Sequence, residues 1–261
     1  MHHFFQTIFT IWQRECIRYV REKARIISTL AQPLMFLAIF GSGLQSTLAG
    51  SNFGIDFVKF MYPGIIAMSV MGVAFFSTVS TVWDREFGFL KEILVAPVSR
   101  TAVAIGKTLG ASTIASTQAL LMLILAPILG LYLHWSILLG FIIVCLLLAF
   151  AISGMGLLIA SLMRTTESFG LVMQLLFMPM FFLSGAFFPI TKVPSWMFVL
   201  TRVNPLTYGV DALRQIILSV DVPQEIVDRF VIHPLPIDLS FLVGFSVVMV
   251  GLAVIAFNKR A

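Results

Sequence analysis

Six long apolar runs interrupt the polar positions of this chain: Ile26–Leu44, Met61–Val82, Leu109–Leu133, Ile137–Leu162, Phe169–Ile190 and Leu239–Phe257. None of them contains Lys, Arg, Asp or Glu. Each is close to the roughly 20 residues that an α-helix needs to cross a hydrocarbon core. Backbone groups in lipid must pair internally, so each run is predicted to be helical. Trp196–Leu200 and Leu206–Leu218 are too short or too interrupted to cross. Ahead of the first run the pattern turns amphipathic. Phe5, Ile8, Trp12 and Tyr19 fall near one face, while Arg14, Arg18, Arg21 and Arg25 recur at spacings of four, three and four. This predicts an N-terminal interfacial helix over residues 1–25, followed by a transmembrane domain over 26–261. The arginine stripe has two readings, a membrane anchor that sets topology or, in addition, a contact with a cytoplasmic partner.

Composition supports a polytopic all-α membrane protein. Of 261 residues, 59% are apolar and 11% charged, with a mean hydropathy of +1.01. A soluble domain carries about 25% charged residues. A disordered chain, a disulfide scaffold and an ordinary cytosolic enzyme are excluded on this ground. Cys16 and Cys145 lie far apart and read as free thiols. Lys and Arg divide unevenly between the two sides of the predicted bundle. Twelve fall in residues 1–25, 83–108, 163–168 and 258–261, and five (Lys59, Lys192, Arg202, Arg214, Arg229) on the other side. By the positive-inside rule both termini are cytoplasmic, in a multi-pass protein of the cell membrane. The net charge of +5 is then a topology signal and not a nucleic-acid footprint. The first span reads as a retained signal anchor, because its basic leader holds Glu15 and Glu22 and no clean cleavage site follows.

Two connecting segments stand out. In Trp83–Arg100, Phe87, Leu90 and Leu94 are spaced as on one helix face, and Asp84, Arg85, Lys91 and Glu92 supply the polar complement. Pro97 would stop this short helix, and Ser99 or Thr101 would cap the next. It is either a wet connector or a docking element. Residues 191–236, on the outer side, are punctuated by Pro194, Pro205, Pro223, Pro234 and Pro236. There Leu206, Val210, Leu213 and Ile217 recur at helical spacing, with Asp211 and Arg214 on the polar side. One or two short helices dipping into the outer leaflet are predicted, as packed loops or as an outer gate.

These segments also carry a resemblance. Glu86-Phe87-Gly88-Phe89-Leu90-Lys91-Glu92-Ile93-Leu94-Val95-Ala96-Pro97-Val98 resembles the signature loop of ABC-2 type transporter permeases. Asn204-Pro205-Leu206-Thr207-Tyr208-Gly209-Val210-Asp211-Ala212-Leu213-Arg214 resembles the segment before that family's last span. Both stand at the expected topological places, and the likeness extends over the chain, toward the drug, antibiotic and nodulation-factor exporter branch. It implies six spans, a cytoplasmic coupling helix over 83–100 and outer re-entrant helices. It implies a permease subunit, working as a homodimer, with two separate ATPase subunits that bind ATP and Mg, and no cofactor bound by this chain. Residues Glu86, Phe87, Gly88, Leu90, Lys91, Glu92, Leu94 and Pro97 would couple to the ATPase. Gly88 would permit close backbone approach. Phe187, Phe188, Asn204, Pro205, Tyr208, Asp211 and Arg214 would form the outer gate. The cargo, whether drug, antibiotic, lipid or glycolipid, is not identified.

No span core holds an acid, a base or a histidine. Ion-driven carriers place such groups near the midplane, so the energy is expected to enter from a partner. Mild polar and adaptable residues, Gln32, Gln118, Gln174, Met178 and Phe181, are the candidates for a substrate path suited to bulky amphipathic cargo. Pro33 and Pro179 are expected kinks. Gly106-Lys107-Thr108 mimics the end of a P-loop, but Thr101 stands where the first glycine belongs and no strand precedes it. Gly106 and Gly110 read instead as a helix-packing pair. His2, His3, His134 and His233 show no metal-ligand spacing in the sequence. The competing function classes are an ATP-independent channel or carrier and a membrane assembly protein without cargo.

Overall fold

The second apolar run forms the axis of the molecule. In a computed structural model, which describes residues 2–48, 55–89, 98–129, 134–188, 190, 193–220 and 222–260, it lies within a 30-residue helix buried along most of its length. The described residues contain ten α-helices and no strand. In chain order they are α1 (His2–Arg21), α2 (Lys23–Leu48), α3 (Phe57–Glu86), α4 (Arg100–Ile124), α5 (Trp135–Leu162), α6 (Thr166–Phe182), α7 (Ser195–Val203), α8 (Pro205–Leu218), α9 (Gln224–Val227) and α10 (Leu235–Arg260). A 3-10 turn, Ala126–Leu129, follows α4. Four helices, α2, α3, α5 and α10, are long and apolar enough to cross a membrane.

Helix α3 packs against α2, α4, α5, α6 and α8, and α5 packs most extensively against α10. Lipid tails are as apolar as leucine, so helices in a bilayer associate through close backbone approach at small residues. Helix α5 follows this rule with Ala149, Ala151, Ser153, Gly154, Gly156, Ala160 and Ser161, all buried. A side chain on Gly154 would meet the Val250 backbone nitrogen of α10 at 3.0 Å, and one on Gly156 would meet Thr78 Oγ1 of α3 at 2.7 Å. The outer helices behave differently. Most of the apolar window of α2 and of α10 faces outward, with Met35, Ile39, Val247 and Ile255 exposed.

Several predicted boundaries move. The third run was predicted to cross from Leu109 to Leu133, but α4 begins at Arg100 and ends at Ile124. Pro127 disfavours helix at the residue before it, and the chain tightens there into the 3-10 turn. Ser99 is the N-cap residue of α4, yet its side chain makes no capping bond. Lys107, read as a loop charge, therefore sits two turns inside a helix and is buried. The fifth run was predicted to reach Ile190, but α6 ends at Phe182. The chain then turns through Leu183–Phe188, where apolar composition persists without helical geometry. Helix α3 runs on to Glu86, so Trp83–Glu86 belong to it and not to a separate coupling helix. Leu90, Lys91, Glu92, Leu94 and Pro97 lie outside the described residues.

Candidate functional site

Polar side chains gather at the two ends of α3. At its C-terminal end, α1 lies on α4 where Gly106 and Gly110 leave room. A Cβ on Gly106 would come within 2.9 Å of Ile8 O and Ile11 Cβ, and one on Gly110 within 2.8 Å of Glu15 Cβ. The seam is fixed by Trp12 Nε1 donating to Thr113 Oγ1 at 3.0 Å and by the Tyr19 hydroxyl donating to Gln118 Oε1 at 2.8 Å. Beneath it lies a buried ionic cluster. Lys107 Nζ is 2.6 Å from Asp84 Oδ2 and 3.5 Å from Glu15 Oε1, and Arg14 reaches Asp84 at 2.7 Å and Glu15 at 2.9 Å. Two acids face two bases, which is how buried charge is tolerated. Burial works against the Arg14 charge, but Asp84 and Glu15 outweigh it and hold the guanidinium above its ordinary pKa.

The arginine stripe thus splits. Arg14 turns inward. Arg18 lies over the Trp83 ring at 4.8 Å and pairs with Glu22. Arg25 pairs with Glu22 and donates to Ser77 Oγ at 3.3 Å. Arg21 is exposed.

The last turn of α3 holds the junction between α5 and α6 from both sides. Arg85 donates to Ser161 O and Met163 O, at 3.0 and 2.8 Å, where α5 ends. Glu86 Oε2 accepts from the Thr166 backbone N–H at 3.0 Å and from the Thr166 hydroxyl, where α6 begins. A cation at a helix C-terminus and an anion at a helix N-terminus both answer the unpaired backbone groups and partial charges there. The Thr166 donors also hold the exposed Glu86 carboxyl below its ordinary range.

Helix α3 stops at Phe87-Gly88. Phe87 donates its N–H to Trp83 O, and Gly88 takes φ +81°, a left-handed conformation that glycine adopts without penalty. Among the described residues, its chain neighbours aside, no atom lies within 4 Å of where a Gly88 side chain would be, and the left-handed φ is what calls for glycine. Phe87 falls in this turn and not on a helix face. It is 79% exposed, and the neighbouring Phe89 is also exposed, with the Arg14 guanidinium 5.2 Å from its ring centre.

At the other end, α8 is buried on every side against α3, α5 and α10. This corrects the expectation that Asp211 and Arg214 occupy a polar face, since both are fully buried. Each polar residue of the Asn204–Arg214 segment bonds to backbone, at a helix end or in an irregular stretch. Asn204 caps α8 by accepting from Leu206 N–H at 3.1 Å and donates to Met180 O at 2.7 Å. Thr207 donates to Leu183 O, and the Tyr208 hydroxyl to Arg202 O. Arg214 donates to Gly185 O at 2.8 Å and to Phe230 O at 3.4 Å, over the Phe60 ring at 4.3 Å. The Asp211 carboxylate accepts from the backbone N–H groups of Ile232 and His233. Burial lowers the Arg214 pKa to about 10 against the pull of Asp211, which leaves it charged at neutral pH. Burial raises that of Asp211, while the two N–H groups oppose the rise. Pro205 is the first residue of α8, and Phe187 and Phe188 are half-buried. Phe187 packs with Phe36, Phe40, Phe181 and Phe182.

The residues read as a substrate path do not form one surface. Gln118 is buried under Tyr19, and Phe181 is buried in the phenylalanine cluster. Gln32, Gln174 and Met178 are exposed on α2 and α6.

The sequence matches the ABC-2 type transporter family over residues 6–218. That range takes in both ends just described. The chain belongs to the ABC-2 type transporter family. It is 31% identical over 215 residues to the ycf38 transport permease of Cyanophora paradoxa, covering 81% of this chain and 74% of that one. Nodulation protein J of Rhizobium meliloti (strain 1021) is 29% identical over 212 residues, 80% of each chain. The inner membrane transport permease YadH of Escherichia coli (strain K12) is 26% identical over 262 residues, 96% of this chain and 98% of that one. This ABC-2 protein is therefore a membrane-embedded transport permease of a family that works with an ABC ATPase. Sequence reasoning missed three of its features: the Lys107–Asp84–Glu15–Arg14 cluster, the Arg85 and Glu86 grip, and His233. Lys107 beside a glycine pair, in a chain that otherwise avoids charge, was the signal for the first.

Proposed function

We propose that this chain is the permease subunit of an ATP-driven exporter whose ATPase docks at the Phe87 end of α3. The observation that carries this reading is the junction at Arg85 to Phe87. A large aromatic stands exposed at the tip of the buried axial helix, and the two residues before it hold the end of α5 and the start of α6. An ATPase seated on Phe87 and Phe89, and on Leu90, Lys91, Glu92, Leu94 and Pro97 beyond them in the chain, would push on a rigid helix. The push would reach α5 and α6 through Arg85 and Glu86. Apolar anchors would carry the affinity of this contact, and Glu86, Lys91 and Glu92 its orientation. ATP and Mg belong to the ATPase; the permease supplies the path.

In this reading α2, α3, α4, α5, α6 and α10 are the six spans, with both termini, α1 and the Phe87 turn on the cytoplasmic side of the cell membrane. Arg21 on α1 remains available to headgroups or to the ATPase. Two copies would meet across α2 and α6. Polar Gln32 and Gln174 are exposed there among Met35, Ile39, Leu175 and Met178, and a polar side chain facing lipid is costly, which favours a protein or cargo neighbour. That face would suit bulky amphipathic cargo such as a drug or lipid. The segment from Phe187 to Arg214 would close the outer end. The test is reconstitution in proteoliposomes with the cognate ATPase and a screen for amphipathic compounds that stimulate ATP hydrolysis. Stimulated hydrolysis with ATP-dependent flux is expected. Flux by the permease alone, without nucleotide, would overturn the reading in favour of a passive carrier.

A further inference from the structure

A third polar group lies beside α8, at the end of the bundle remote from Phe87. Asp211 of α8, His233 of the segment before α10 and Asp238 in the first turn of α10 present one ligand atom each, all within 4.8 Å of one another. His233 Nδ1 is 3.6 Å from Asp238 Oδ1 and 4.0 Å from Asp211 Oδ2. These separations are too long for hydrogen bonds. Asp238 is fully buried, yet its Oδ1 has no hydrogen-bond partner among the described residues, and neither has His233 Nδ1. The two atoms face each other across 3.6 Å. A buried carboxylate oxygen without a donor is costly, and such a group in a native fold calls for an explanation.

The surroundings hold all three side chains in place. The two Asp211 oxygens are oriented by the N–H groups of Ile232 and His233. Gln215 Nε2 donates to Asp238 Oδ2 and to His233 O, each at 3.0 Å. The His233 ring stacks on Tyr208, interplanar angle 13°, and Tyr208 stacks on Phe241 at 3.7 Å. Carboxylates and imidazoles oriented by outer hydrogen bonds are the pattern found around metal ligands. A tetrahedral ion with bonds of about 2.1 Å holds its ligands about 3.4 Å apart, so the three atoms, which lie within 4.8 Å of one another, would draw together on binding. The positive charge of Arg214 is directed elsewhere, to Gly185 O and Phe230 O. His233 is 24% exposed as a side chain, although its Nδ1 is buried.

We propose that Asp211, His233 and Asp238 form a site for a divalent transition-metal cation of the zinc class, joining α8 to the start of α10. Two carboxylate oxygens and one imidazole nitrogen are a borderline donor set that favours Zn2+ over Mg2+ or Ca2+. The ion would tie Asp211 of α8 to His233 and Asp238 at the start of α10. The inference does not depend on the exporter reading.

The experiment uses the untagged full chain in detergent, in a His2→Ala, His3→Ala background that removes the N-terminal imidazoles. Zn2+ is the probe, and bound metal is measured per chain after dialysis alongside the thermal midpoint. One equivalent of Zn2+ is expected, with a rise in midpoint, while Mg2+ produces neither. Asp238→Asn and His233→Gln should lose stoichiometric binding, and Gln215→Ala should weaken it by about 10–100-fold. Co2+ substitution gives a second readout that does not depend on the variants: visible absorption bands of a low-symmetry site are expected from the parent chain. A parent chain that retains no Zn2+ would overturn the proposal. So would variants that bind Zn2+ undiminished, or a pH-dependent change in midpoint with no metal bound, which would make the group a proton-linked contact.

Discussion

At the α1 end Lys107 and Asp84 meet charge with charge, whereas about 36 Å along α3, near Phe60, Arg214 and Asp211 meet backbone. The difference lies in what each cluster leaves behind when it is removed. Opposite charges that satisfy one another can be replaced together by apolar residues, because the desolvation cost disappears along with the attraction. Charges that satisfy carbonyl and N–H groups cannot, because the backbone groups stay. The first arrangement joins α1, α3 and α4 through side chains alone. The second holds irregular chain in the buried interior, where water does not compete.

The largest effect is therefore expected at Arg214. Arg214→Met removes the donor to Gly185 O and Phe230 O, takes the cation from the Phe60 ring and should cost about 3–5 kcal/mol in detergent unfolding. Adding Asp211→Asn should not restore it. Lys107→Met should cost about 2–3 kcal/mol, less because Arg14 still reaches Asp84. Here the double variant Lys107→Met, Asp84→Leu should recover most of the loss, and the cycle should return a coupling of up to about 3 kcal/mol. Recovery at Arg214, or none at Lys107, would erase the contrast between the ends. Gly106→Val forces a side chain against Ile8 and Ile11 and should cost about 1–3 kcal/mol. It should also raise thiol labelling of Cys16 on α1 while Cys145, buried in α5, stays unreactive. Glu86→Ala should leave unfolding unchanged and lower ATP-coupled transport several-fold, whereas Glu86→Gln, which keeps an acceptor for Thr166, should retain most of it. Equal transport in the two variants would remove Glu86 from the coupling path.

The sequence makes the spanning helices legible because apolar length is a local property. The runs at Met61–Val82, Ile137–Leu162 and Leu239–Phe257 lie within α3, α5 and α10 with ends moved by a few residues. Where hydropathy and helicity part, the reading shifts. Thr101–Thr108 are helical but only mildly apolar, and Leu183–Phe188 are apolar but turned. The Gly106 and Gly110 pair announced helix packing, yet its partner α1 is about 90 residues away in the chain and leaves no local mark. Asp211 and Arg214 look like the wet side of an amphipathic helix at a spacing of three. Their burial follows from α3, α5 and α10 closing around α8, which only the tertiary arrangement shows.

The central claim is that the ATPase meets this permease at the Phe87 turn. It is tested most directly by placing a photo-crosslinking residue at position 87 and, separately, at the exposed Trp196 of the opposite end. With the cognate ATPase present in membranes, an adduct to the ATPase from position 87 and none from position 196 is predicted. An adduct from position 196 with none from position 87 would contradict the account.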